Sequence, residues 1–162
     1  MRRLCSGQVL IPSRRRLCKG RPMTLLALDR HFLSRERAFQ VARIGTASLF
    51  LAHAVVRVVN DTIPQFAGFM ASQGFPQPTA VVWAITVIEL TAALCLVVRF
   101  RVPCACAALA LIAMGGIVLI HSKFGWFVGE HGTGGSEFSV ALLLLLYLIA
   151  IDDRASKALP GN

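Results

Sequence analysis

Residues 102–120 read VPCACAALALIAMGGIVLI, nineteen positions without one charged side chain. A bilayer's hydrocarbon core is roughly 30 Å thick, and at about 1.5 Å per residue a helix needs roughly 20 apolar residues to cross it. The run is continuous rather than alternating, so it suits a helix in lipid and not a barrel strand. Its small residues, Cys106, Ala110, Ala113, Gly115 and Gly116, would let a neighbouring helix approach closely. A membrane-crossing helix here sets the class of the whole chain.

Outward from it lie two further runs of spanning length, Ala38 to Val59 and Pro78 to Val98. A fourth is continuously apolar only from Val140 to Ile151, and reaches spanning length only if its helix begins near Gly134 or Gly135. Together they predict an all-α fold, a transmembrane four-helix bundle over residues 38–151. Composition agrees: 56% of residues are hydrophobic and 15% charged, where soluble domains carry roughly a quarter charged.

The net charge of +9 is unevenly placed. Ten of the 17 Lys and Arg precede Ala38, and no basic patch is interleaved with aromatics, which excludes a nucleic-acid partner. The bilayer is the expected partner. Basic residues then alternate along the chain: a basic tail (1–37), a loop from Asn60 to Gln77 with none, the turn at Arg99 and Arg101, a stretch with Lys123 alone, and a tail (152–162) with Arg154 and Lys157. The positive-inside rule makes this a multi-pass protein of the plasma (inner) membrane, with both termini cytoplasmic. Ser13 to Lys19 has only a superficial likeness to a twin-arginine signal, since no long apolar run or cleavage site comes after it. Met23 is the expected start, with residues 1–22 disordered or not made.

Ionisable groups inside a bilayer are costly, so each needs a partner or a task. Five fall in the outer half of the bundle: His53, Arg57, Glu89, His121 and Glu137. Arg57 is two residues from the end of its helix, and His53 about six, or roughly 9 Å deep. Glu89 is eleven residues beyond Pro78, or roughly 16 Å deep. Matching depths pairs Arg57 with Glu137, and His53 with Glu89. These five make the candidate ligand or proton site; the bland reading of the same pairs is interhelical ties.

Other chemistry is poorly served. His121, Glu130, His131 and Glu137 match no metal-ligand spacing, so no metal is expected. His53 and His121 lie at different depths, a poor haem pair. Cys95, Cys104 and Cys106 cluster at the inner side without the C-x-x-C pair of a thiol-oxidising enzyme. Phe124, Trp126 and Phe127 read as an interfacial aromatic belt, and Glu130 and His131 as solvated loop side chains.

The order of these pieces matters more than any one. LFLAHAVVRV (His53, Arg57) is followed by QGFPQP, then WAITVIELTAALCLVV with Glu89, a short basic turn, His121 beside G-W-F, and Gly134-Gly135-x-Glu137. This order resembles the DoxX family of small four-helix membrane proteins, over roughly Ala38 to Ile151. Many relatives have Gly and Lys where this chain has Ala54 and Arg57, so the charge is kept. The family takes its name from membrane subunits associated with quinol oxidation and thiosulfate:quinone oxidoreduction. The resemblance therefore implies a membrane component of a quinone-linked redox or oxidative-stress process. No cofactor is encoded; a bound quinone is the group the polar site would take, and other membrane or soluble redox subunits are the partners implied. Two other readings stand beside it, a non-catalytic membrane scaffold and a small proton-coupled transporter. Whether the chain is itself an enzyme stays open at this level.

Overall fold

Proline marks where three of the helices begin. Pro64, Pro78 and Pro103 each occupy a first helical turn, where the missing N–H would have had no partner within the helix. The computed structural model describes residues 34–127 and 134–158. The expectations for residues 1–22 and for Glu130 and His131 lie outside the described residues. The chain divides between Ser34 and Arg35 into two units, and every described helix belongs to the second.

The order is α1 (Arg35–Val59), α2 (Ile63–Ser72), α3 (Pro78–Val97), α4 (Val102–Leu119), a 3₁₀ turn (His121–Phe124) and α5 (Glu137–Ala158). No strand occurs among the described residues, so the all-α expectation holds. Helix α1 packs on α3, α3 on α4, α4 on α5, and α5 back on α1, while α2 lies against α3. Three of these helices, α1, α3 and α4, are long and apolar enough to cross a membrane. Their ends fall within a few residues of the apolar runs in the sequence.

Each packed face repeats at intervals of three and four. On α1 the stripe is Ala47, Phe50, Ala54 and Arg57; on α3 it is Val82, Thr86, Glu89, Ala93 and Leu96. The main core joins Phe50, Leu96, Leu109, Leu146 and Ile149 through buried alanines such as Ala47, Ala93 and Ala105. Small side chains at these crossings allow close helix approach. A second apolar cluster, Ile63, Ala67, Met70 and Val82, seats α2 against the start of α3. Outward faces carry large apolar groups, among them Leu111, Val118, Leu144 and Tyr147, a distribution suited to lipid and hazardous in water.

Helix α5 opens at Glu137, as the Gly134-Gly135-x-Glu137 motif suggests, but runs past the expected Ile151. Gly134 and Gly135 stay outside it, because the residues preceding Glu137 are engaged elsewhere. The Ser136 N–H donates to the Gly125 carbonyl and that of Glu137 to the Trp126 carbonyl. A Cβ at Gly135 would run into backbone atoms of Trp126 and Phe127. The helix finds its length at the other end, running past Ile151 to Ala158 with Asp153 buried.

Two ends of the structure can be distinguished. The near end holds the start of α1, the α3–α4 turn and the close of α5; the far end holds α2 and the His121–Phe124 turn. In the α3–α4 turn, Arg99 (φ 60°) and Arg101 (φ 44°) are both left-handed, a conformation that costs a non-glycine residue about 1–2 kcal/mol.

Candidate functional site

At the far end of α1 the chain turns sharply, and Thr62 holds the corner. Its N–H and hydroxyl both donate to the Arg57 carbonyl, at 3.1 and 3.2 Å. Arg57 is thereby fixed on the last turn of α1 with its side chain directed into the packed face, where it is 9% exposed. Glu89, 1% exposed, meets it from α3, with Arg57 Nη2 3.1 Å from Glu89 Oε2. Nη1 donates to Thr86 Oγ1 at 2.8 Å. That hydroxyl passes its own proton to the Val82 carbonyl at 2.8 Å, so its lone pairs face the guanidinium. Phe66 of α2 covers the group, its ring centroid 5.3 Å from Arg57 Cζ. A weakly hydrated, planar cation suits such a pocket better than an ammonium would.

His53, one turn earlier on α1, has Nδ1 3.8 Å from Glu89 Oε1. That is ion-pair range for a protonated imidazole but too long for a hydrogen bond. Its side chain is 71% exposed, so it stands at the bundle surface beside a carboxylate that is otherwise enclosed. Glu89 Oε2 is buried and makes no aligned hydrogen bond; its contact with Arg57 is a charge pairing with acceptor capacity left over.

The structure thus gathers three of the five expected residues and changes their pairing. Arg57 is held by Glu89 and Thr86, where matched depth pairs it with Glu137. His53 is beside Glu89, as expected, but on the outside of the pair. His121 lies in the 3₁₀ turn with its ring between Gly116 and Gly134, and its Nδ1 is buried without a hydrogen-bond partner. Glu137 opens α5. Among the described residues no ion pair joins His121 to the Arg57–Glu89 pair.

Two members of the site were not anticipated. Thr86 was legible, since it precedes Glu89 by three residues and must share its helix face. Phe66 was not, because the segment holding it read as a loop.

A site of this kind can hold a proton or accept one from a neutral ligand, and can donate hydrogen bonds to a carbonyl oxygen. Against known proteins, the family model described as DoxX matches residues 38–122, which contain all but the first three residues of α1, the whole of α2 to α4, and all the residues of the Arg57–Glu89 site. The match covers just over half of the 162 residues and stops short of the Gly134–Glu137 motif included in the resemblance. Neither a curated protein nor a solved structure matches the chain. On the match over its apolar helices, the chain belongs to the DoxX family.

Proposed function

We propose that this protein is a multi-pass membrane component of a quinone-linked redox process, with Arg57, Glu89 and His53 forming its ligand site. The carrying observation is an enclosed Arg57–Glu89 pair with an exposed histidine beside it on a surface suited to lipid. A lipid-soluble ligand could reach that histidine laterally without crossing water. The donor set fits a quinone: Arg57 and His53 carry N–H groups for carbonyl oxygens, Phe66 offers a flat apolar face, and Glu89 Oε2 retains acceptor capacity. A bound quinone would supply two-electron, two-proton chemistry. Glu89 would hold or release a proton at Oε2, Arg57 would favour negative charge on the ligand, and His53 would donate a hydrogen bond to a ligand carbonyl oxygen. His121 and Glu137 shape the same end of the bundle at one remove.

The basic residues at the near end support a cytoplasmic position for it under the positive-inside rule, and on that reading the site belongs to the outer half. Between the site and the near-end carboxylates, the buried side chains of α1, α3 and α4 are apolar apart from Thr46. This argues against a proton-coupled transporter. A scaffold role has one observation in its favour: the Arg57–Thr86–Glu89 contacts also tie α1 to α3.

Mass spectrometry of lipids co-purifying with the full chain separates these readings. The redox reading expects retained quinone in the wild type and its loss in Glu89→Gln with the fold intact. Absence of quinone from both, when a control quinone protein prepared alike retains it, leaves the scaffold.

A further inference from the structure

The near end contains a cavity that the redox reading does not use. It encloses about 720 Å³ among the first turns of α1, the α3–α4 turn and the last turns of α5, a volume within the range of small-molecule sites. Its floor is apolar, made by buried Val102 and Ile149 with Phe39 beside them. Its walls are charged, with Arg35, Arg43 and Arg99 facing Glu36, Asp152 and Asp153.

Most of these charges already answer one another. Arg35 Nη2 lies 2.8 Å from Asp152 Oδ1, and its Nε donates to the same oxygen at 3.0 Å. Asp153, 4% exposed, is shared between Lys157 at 2.7 Å and Arg99 at 3.8 Å. Arg43 and Glu36 are the exceptions: among the described residues neither has an opposite charge within ion-pair distance. Arg43 Nε is buried and lacks a hydrogen-bond partner. A buried guanidinium N–H without a partner is unfavourable, so Arg43 retains donor capacity that the cavity's own side chains do not use.

We infer that this cavity binds a phosphate group, with the Arg43 guanidinium as its principal donor. Guanidinium presents paired N–H groups that match phosphate oxygens two at a time. The cavity lies where the apolar spans α1 and α3 end, at the depth of lipid headgroups, and basic pockets between membrane helices take such headgroups. An apolar floor beneath a charged rim suits the junction between a phosphate and its acyl-glycerol. A soluble phosphate ester shares the anion but has no use for that floor.

Native mass spectrometry on the full chain in detergent tests this with three probes: phosphatidylglycerol, glycerol 1-phosphate and diacylglycerol. We expect phosphatidylglycerol to bind, and Arg43→Gln to weaken it about tenfold, the loss of one charge-assisted pair. Binding of glycerol 1-phosphate with equal strength and the same Arg43 dependence would support the phosphate and make its source soluble. Diacylglycerol binding as well as phosphatidylglycerol, or an unchanged affinity in Arg43→Gln, overturns the inference. Should Arg43→Gln not fold, Glu36→Gln supplies the test, because removing a carboxylate from the rim must tighten phosphatidylglycerol binding. No change there overturns it equally.

Discussion

Arg57 is constrained from three directions: a carboxylate and a hydroxyl on α3 and an aromatic face on α2. Such a charge has a stability consequence that its distances alone do not show. Removing one partner of a buried ion pair costs about 3–5 kcal/mol, whereas replacing both with apolar groups is often neutral. Glu89→Leu should therefore destabilise the protein by about 3 kcal/mol in denaturant titration in detergent, and adding Arg57→Leu should recover most of the loss. Gly135 is constrained differently, by backbone that cannot yield. Gly135→Ala should break the pairing of residues 125–126 with 136–137, read as faster amide exchange at Ser136 and Glu137 without loss of the core.

At the scale of elements, α2 explains why depth counting missed the contact between Arg57 and Glu89. Reckoned from helix ends, Arg57 and Glu89 differ by nine residues, or roughly 13 Å. That arithmetic assumes that α1 and α3 end at one level. They do not, because Ile63, Ala67 and Met70 pack α2 against Val81, Val82 and Ile85 at the start of α3. The first turns of α3 thus rise beside α2, and Arg57 comes level with Thr86 and Glu89. Helix α2 was hard to foresee: ten residues with Pro64 and Gly68 inside them, flanked by loop residues, carry little periodic signal. The long apolar runs were legible to within a few residues because continuous hydrophobicity needs no partner to interpret. Met70 is 2% exposed, and Met70→Ala should cost about 2–4 kcal/mol. The loss should be concentrated in α2 and visible as early exchange of amides 63–72 ahead of those in α3.

For the whole molecule, the closed circuit of α1, α3, α4 and α5 leaves charge at the near end and an enclosed polar pair toward the far end, with an apolar core between. Helix α5 completes that circuit with only twelve continuous apolar residues, Val140 to Ile151, or about 18 Å of helix. Its charged close is accommodated by Arg35 and Arg99 instead of by length. If α5 crosses despite this, both termini share a side. Reporters fused to each end should report the cytoplasm, and labelling of a single cysteine at Gln73 should occur only from outside. Opposite readings from the two termini would remove α5 from the set of spans.

The α3–α4 turn carries a consequence for how the chain is assembled. Between Val97 and Val102 only four residues intervene, two of them arginines held left-handed where glycine would sit without strain. Arg99 reaches Asp153 from there, a contact that forms only once α5 has arrived. Until then the turn is strained and doubly charged beside an apolar pair of helices. On this basis α3 and α4 should enter a bilayer together as a hairpin, with the two arginines at its tip. The Arg99–Asp153 contact would then be a lock that closes only when α5 joins them.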